Sequence, residues 1–309
     1  MAYTSGSASF NLDLTEIVEE AFERAGSELR TGYDLKTARR SLNLLFADWA
    51  NRGVNMWTFE QGTIPLTQGL NTYPIPVDTV DLLDHVIRTQ ANDQATQADL
   101  TITRISISTY ATLPNKLTQA RPIQVWYQRL DGQVTPTANY LATSITSTDT
   151  TITLSSTTGL PAIGYINLDS ETIFYNYIDG NTLSNCFRGQ NNTTAAAHTT
   201  GAAISVANLP CINVWPTPNA PGDQYTFVYY RMRRIQDAGS GVSVQDIPFR
   251  FIPVMVAGLA YLLSMKLPDV DPQRVIGLKA EYEQQWELAA AEDRDTSPLR
   301  FVPRNLFYA

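Results

Sequence analysis

The sequence has little positive charge and few residues of the kinds that most often perform catalysis. Its 309 residues include 22 Lys and Arg against 30 Asp and Glu, a formal net charge of −8, with only 2 Cys and 2 His. Tight DNA binding depends on many contacts between basic side chains and phosphates, so this balance argues against it. A protein that surrounds DNA without gripping it is compatible with the same charge.

Disulfides, targeting segments and membrane spans are not expected either. Cys186 and Cys211 could pair only as a bridge between strands, and free buried thiols of a chain made in a reducing cytosol are favoured. Residues 1–10 lack the charged start and apolar core of a signal peptide. The longest apolar run, 251–263, is too short to cross a membrane and predicts a core helix.

Motifs of known enzyme chemistry are missing from the sequence. It contains no phosphate loop, no dinucleotide-binding turn, no nucleophile elbow and no paired-histidine zinc motif. We therefore predict no catalytic residue, no metal ligand and no cofactor, and we expect that the protein is not an enzyme.

Both histidines favour structural interpretations. His85 follows Asp84 in an apolar segment and is predicted to be a helix-face or core histidine rather than a general base. His198 lies in an Ala/Thr-rich stretch and is predicted to be a solvated loop residue.

Two acidic pairs are weak candidates for chemistry. Asp169 and Glu171 stand two apart near a strand and thus on one face, which would suit an acid/base pair, but a structural turn pair is favoured. Asp269 and Asp271 resemble a fragment of a metal site. Asp271 precedes Pro272, the preferred first residue of a helix, so a helix cap is the favoured interpretation.

Helical patterns occur at both ends of the chain. Apolar residues recur at i, i+3 and i+4 in four segments, namely 15–25, 34–51, 251–263 and 272–291. Asp13 or Thr15 can cap the first helix, and Gly26 can end it. We expect these four helices to pack as one four-helix bundle.

The middle of the chain is rich in strand patterns. The aromatic segments 123–129 and 225–232 are expected to pair in one sheet, and 100–108 alternates like a strand. Between them, 141–206 has Thr/Ser runs, no lysine and Arg188 as its one basic residue, which predicts an inserted all-β sandwich or barrel. The predicted fold class is α+β, a four-helix bundle plus a β-sheet region with this small insert. The predicted domains are a discontinuous body of 1–137 and 208–309, a module of 138–207 and an extended tail of 296–309.

An arginine cluster follows the second aromatic strand. Arg231, Arg233 and Arg234 follow the aromatic segment Phe227–Tyr230, and basic residues interleaved with aromatic ones can bind single-stranded nucleic acid. Three arginines among 30 acidic residues are too few for strong binding. A place in a DNA channel and ion pairs between subunits both stay open.

The C-terminal tail carries large apolar side chains on a segment broken by prolines. These side chains are Leu299, Phe301, Leu306, Phe307 and Tyr308. Burying each against a partner is worth about 1.5–3 kcal/mol, and Arg300 and Arg304 can add contacts to carboxylates. The tail is expected either to bind a partner or to fold back on its own body.

A series of short motifs, in this order, resembles the head-to-tail connector (adaptor, or tail tubular protein A-like) family of short-tailed bacteriophages. The motifs are FADWANRG (46–53), YPIP (73–76), STYATLPNK (108–116), RPI (121–123), WPTP (215–218), YTFVYYR (225–231) and IPF (247–249). The resemblance covers roughly 1–137 and 208–309. The insert, with TITL (151–154), ETIFY (171–175) and Arg188-Gly189, resembles a small β-module that recurs in phage structural proteins.

The resemblance implies a structural virion protein at the head-tail junction, assembled in the cytoplasm of the host bacterium. Such connectors form a ring, usually of twelve copies, between the portal protein and the tail nozzle protein, and double-stranded DNA passes through without sequence-specific contacts. The C-terminal segment of connectors reaches into the portal. This implies a portal-binding role for Leu299, Arg300, Phe301, Arg304, Phe307 and Tyr308.

Two other classes of function stay open at this point. The protein could bind a receptor or glycan, or anchor a tail fibre or the capsid, through the β insert, although the sequence shows no clustered aromatic platform. It could also be a hydrolase acting on the host envelope, in which Glu171 would be the residue to test.

Overall fold

The computed structural model describes residues 10, 12–29, 32–53, 56–220, 224–268 and 270–293. The chain forms two compact units, residues 1–59 with 234–309 and residues 60–233. The described α-helices are α1 (Leu14–Ala25), α2 (Gly32–Arg52), α3 (Ile107–Ala111), α4 (Ile252–Ser264) and α5 (Pro272–Glu292). The domain boundaries given by the sequence patterns stay a prediction.

The expected fold class, a four-helix bundle with a small β insert, is wrong. The described chain is mixed α/β with five α-helices and four sheets, and 34% of it is strand against 28% helix. One reason lies in α4, in which every residue from Val254 to Ala260 is buried. In a four-helix bundle each helix buries one apolar stripe. Here α1, α2 and α5 each pack on α4, which is enclosed on all its faces.

The ends of α1 form as their residues predict. The Asp13 carboxylate accepts a hydrogen bond from the Glu16 backbone N–H, and the Glu16 side chain accepts one from the Asp13 N–H. This reciprocal pair is a capping box, which satisfies N–H groups that the first turn leaves free. Gly26 ends the helix with a left-handed φ of 88°, a conformation that glycine adopts without strain.

Aromatic side chains complete the core of the helical unit. The ring centroid of Trp49 lies 5.6 Å from that of Phe251 and 5.4 Å from that of Trp286. The Trp49 indole N–H donates to the Tyr282 hydroxyl over 3.1 Å, so its one polar group is satisfied within the core.

Residues 60–233 hold most of the strands. Sixteen strands are described: β1 (Phe59–Pro65), β2 (Thr72–Pro74), β3 (Thr79–Thr89), β4 (Ala98–Thr101), β5 (Thr103–Arg104), β6 (Gln119–Ala120), β7 (Gln124–Gln128), β8 (Val134–Tyr140), β9 (Ile152–Thr153), β10 (Gly164–Leu168), β11 (Glu171–Asp179), β12 (Thr182–Gln190), β13 (Ala203–Ala207), β14 (Cys211–Trp215), β15 (Thr217–Pro218) and β16 (Tyr225–Arg233). They form four sheets with strand orders β1-β16-β3-β4, β8-β13-β10-β11-β12-β9, β2-β14-β7-β5 and β15-β6. We call the first the outer sheet, the second the insert sheet and the third the inner sheet.

Two expectations for the strands are wrong. The aromatic strands β7 and β16 do not pair, because β14 lies beside β7 in the inner sheet while β16 pairs with β3 in the outer sheet. The predicted strand over 100–108 is instead two short strands in different sheets, β4 and β5, and the second ends at Arg104. Ser106 then accepts a hydrogen bond from the Thr109 N–H and caps α3, so a side-chain cap turns the chain into a helix.

The insert sheet has an apolar face of its own. Its buried members include Leu141, Ile152, Ile166, Ile173 and Ile204. Tyr165 and Phe174, which face each other across β10 and β11, instead join the core that contains the inner sheet. Both faces of the insert sheet are therefore used in packing. Among the described helices, none is long and apolar enough to cross a membrane.

Candidate functional site

The predicted site residues fall in two places. The portal-binding residues of the tail, Leu299, Arg300, Phe301, Arg304, Phe307 and Tyr308, lie outside the described residues. Arg231 and Arg233 end β16, and Arg234 follows them.

The guanidinium groups of β16 have carboxylate partners within their own unit. Arg231 is 9% exposed, and it donates to Asp78, to the Thr79 hydroxyl over 2.9 Å and to Glu60 over 2.8 Å. Arg233 donates to the other Glu60 oxygen over 2.6 Å. Burial acts to lower the pKa of Arg231, and the Asp78 and Glu60 carboxylates raise it above its ordinary value. A role of these arginines in a DNA channel or between subunits stays a prediction.

The helix-face prediction is wrong for His85, although its ring packs on the core residue Phe227, and the prediction for His198 is wrong as a whole. His85 lies in a strand, β3, and stacks on the Phe227 ring with centroids 5.8 Å apart, while burial lowers its pKa. His198 is 5% exposed, so the solvated-loop prediction is wrong. Its Nδ1 lies 2.7 Å from an Asp169 oxygen and its Nε2 lies 2.9 Å from a Glu171 oxygen. Its backbone also pairs with that of Ile145, which ties two loops of the insert together.

Glu171 is the centre of a buried ion cluster in the insert. It is 1% exposed and receives two N–H groups of Arg188, at 2.8 and 2.7 Å, and the backbone N–H groups of Gly189 and Ala196, at 2.9 and 3.1 Å. Burial acts to raise the pKa of this carboxyl, but the hydrogen bonds from Arg188 and His198 and from the two amides lower it to about 2.

The cluster joins segments that are separated along the sequence. Arg188 also donates to the backbone oxygens of Thr146 and Ala196. Loop 144–150, the start of β11, the end of β12 and the loop before β13 are thus tied to one carboxylate. The turn-pair prediction holds for Asp169, a turn residue with a φ of 51°, and is wrong for Glu171. A carboxylate held ionised by this many donors is unsuited to general acid catalysis.

The cysteines are free and buried, which confirms the prediction for both thiols. Burial raises the pKa of each to about 12. No group of three or more His, Cys, Asp or Glu side chains that could hold a metal occurs among the described residues.

A cavity of about 770 Å³ lies within 60–233. One wall comes from the insert sheet, where Tyr165, Phe174 and Asn176 share a face through the β10–β11 register and the i, i+2 rule. The other comes from the inner sheet, where Trp126 lies opposite Asn213 and Gln128 opposite Cys211. We call this space the intersheet cavity.

Aromatic rings and amides line the intersheet cavity. The ring centroids of Tyr110 and Trp126 are 5.0 Å apart, and those of Tyr165 and Phe174 are 4.9 Å apart. The amide side chains are Asn71, Gln128, Asn176, Asn185, Asn208 and Asn213. The lining includes no carboxylate, and its one cation, Lys116, donates to the backbone oxygens of Ala111 and Leu113.

Sequence reasoning missed this cavity because its lining spans residues 71 to 213 without a local motif. Rings far apart in the sequence pack together at its walls, but Tyr110, Tyr165 and Phe174 are buried, so the absence of an aromatic platform in the insert stays a prediction. No protein-family model matches the chain, and no curated protein matches it.

Proposed function

We propose that the chain is a structural virion protein that forms the head-to-tail connector ring of a short-tailed bacteriophage. The ring, of about twelve copies as the family resemblance implies, joins the portal protein to the tail nozzle protein and surrounds the DNA that passes through. It is assembled in the cytoplasm of the host and acts at the head-tail junction of the virion.

The observation that carries this proposal is that motifs of the resemblance contact one another. The Trp215 indole N–H donates to the Asn115 backbone oxygen over 2.9 Å, and the Thr217 hydroxyl donates to the Lys116 backbone oxygen over 2.9 Å. These residues belong to two motifs about one hundred positions apart in the sequence. Motifs that matched the family by chance would be expected at unrelated places in the structure. Residues that hold one fold together are expected to recur as a set within a family, so these contacts support the resemblance.

The net charge of the chain and the ion pairs of its arginines agree with a protein that lets DNA pass rather than one that binds DNA tightly. The net charge is −8, and Arg231 and Arg233 are engaged by Glu60 and Asp78. Tight binding would need several cations free to replace the counterions of DNA phosphates. A ring also requires a heterologous interface that closes on itself, and it requires no enzymatic site.

Electron microscopy of the purified full chain mixed with its portal protein tests the proposal. We expect rings attached to the portal. A monodisperse monomer that never attaches would refute the connector function.

The tail can be tested separately in the same assay. Deleting 296–309 is expected to abolish attachment and to leave the far-ultraviolet circular dichroism spectrum unchanged. Leu288→Ser, which removes an exposed apolar side chain from α5, is the control and should attach normally. Unchanged attachment of the deleted chain would refute the assignment of the tail to the portal.

A further inference from the structure

We propose that the intersheet cavity is a docking site for an extended peptide segment with few charges from another protein, with aromatic or aliphatic side chains as its anchors. This proposal does not depend on the connector function.

The depth and walls of the cavity suit apolar anchors. Its volume of about 770 Å³ is within the range of clefts that bury most of a bound ligand. Tyr165 and Phe174 are buried at the insert-sheet wall, while Trp126 on the inner-sheet wall is half-buried. Because Tyr165 and Phe174 leave almost no surface accessible, an entering side chain would meet the half-buried ring of Trp126 and the exposed ring of Tyr177, and aromatic pairs attract each other beyond simple area burial.

The rim of the cavity exposes large apolar side chains. Leu117, Ile163 and Tyr177 are each about half exposed or more, at 58%, 49% and 54%, and Leu130 at 37% lies among the same lining residues. Single exposed apolar residues need no explanation, but a group of them around an apolar hollow marks a binding surface.

The polar groups of the lining match a peptide backbone. The side chains of Asn176, Asn185 and Asn208 make no hydrogen bond to another described residue, and the Asn176 amide nitrogen is buried. A side-chain amide both donates and accepts, as a backbone peptide group does. The lining has no carboxylate, and its one cation, Lys116, donates to two neutral backbone oxygens and keeps its charge, so the walls offer no ion pair to a basic segment and one at most to an acidic segment, which favours a segment with few charges.

A saccharide fits the same space less well. Its hydroxyl groups would face Leu117, Leu130 and Ile163 at the rim. Hydroxyls that leave water without gaining a hydrogen bond weaken binding. Aliphatic and aromatic side chains of a peptide lose no hydrogen bonds at the rim, and they bury its apolar surface away from water.

The test is selection from random dodecapeptides displayed on filamentous phage, with the full chain as the immobilised target. We expect the enriched sequences to be rich in aromatic and aliphatic residues and poor in charged ones. One enriched peptide is then synthesised with a fluorescent label, and its affinity for each variant is measured by anisotropy.

Matched pairs of variants locate the site. Tyr177→Ala should weaken binding about tenfold, whereas Tyr140→Ala, with a similar exposure of 50% but outside the cavity, should not change it. Leu117→Asp should also weaken binding, and Ile107→Asp, an exposed residue outside the cavity, should not. All four positions are exposed, so the fold is expected to survive each change.

Three results would overturn the proposal. One is the absence of any enriched sequence. Another is an enriched peptide whose affinity is the same for Tyr177→Ala and Leu117→Asp as for the unmodified chain. The third is that the chain binds immobilised neutral glycans, that Tyr177→Ala abolishes this binding, and that no peptide is enriched. None of these outcomes bears on attachment to the portal, so this proposal and the connector function can fail separately.

Discussion

Glu171→Gln should destabilise the insert strongly although it preserves the shape of the side chain. Glu171 is fully buried and Arg188 nearly so, with side chains 0% and 6% exposed. The amide cannot neutralise Arg188, and its NH2 group must face at least one of the N–H donors that now point at the carboxylate. Removing one partner of a buried ion pair costs about 3–5 kcal/mol, because the other charge stays buried without compensation.

The pKa of Glu171 gives a second measure of the same interaction. The carboxyl titrates at about 2 in the folded protein against its usual value of 4.5. At about 1.4 kcal/mol for each pH unit, this difference corresponds to about 3–4 kcal/mol in favour of the ionised folded state. The two routes agree, and the loss is a large fraction of the stability of an ordinary domain.

Hydrogen exchange at single amides is the sharpest assay for this variant. The Gly189 and Ala196 N–H groups both donate to Glu171, so their protection should fall by an amount that matches the lost free energy. Asp169→Asn is the control. Its side chain is 60% exposed, and the change should cost less than about 1 kcal/mol. Equal effects of the two variants, or unchanged protection in Glu171→Gln, would refute the account of the cluster.

Three further outcomes follow from the packing and the titration behaviour. The contribution of Glu171 to stability should be complete above about pH 4.5 and should be lost as the pH falls towards 2, so acid unfolding of the unmodified chain should be steeper in this range than that of Glu171→Gln. Gly258→Ala should lower the free energy of unfolding by about 1–3 kcal/mol, because a Cβ at this position would lie 2.9 Å from the Tyr282 ring. Gly277→Ala in α5 should raise the free energy of unfolding by about 0.5–1 kcal/mol, because a Cβ there meets nothing within 4 Å. Urea titrations measure both changes, and the same sign for the two variants would contradict the packing. Cys186 and Cys211 should resist a thiol reagent at pH 8 in the folded chain and react after denaturation, and fast labelling of the native protein would show that the thiols are accessible.

Local patterns predicted the helices well because their causes lie within a few residues. The spacing of Ile17, Val18, Ala21 and Phe22, with Asp13 before and Gly26 after, is enough to define α1. The apolar run 251–263 also predicted a core helix, α4. The patterns could not show which elements cover it, because α1, α2 and α5 come from both ends of the chain.

Contacts between distant residues account for the failures. His198 looks solvated in its own segment, and only Asp169 and Glu171, nearly thirty residues earlier, explain why it is buried. One signal was present: Arg188 is the single basic residue of 141–206, and a lone charge in such a segment needs a partner. The intersheet cavity had no comparable signal, because its existence depends on how two sheets face each other.

The enclosure of α4 determines when the helical unit can fold during synthesis of the chain. Because α1 and α2 precede the whole of 60–233 and α4 follows it, the first two helices leave the ribosome long before the helix on which they pack. Residues 60–233, by contrast, can complete their sheets once Arg233 has emerged. Throughout that interval the apolar faces of α1 and α2, including Leu14, Phe22 and Trp49, have no cover from α4. The apolar faces of α1 and α2 are therefore open to chaperones and to aggregation until α4 has left the ribosome.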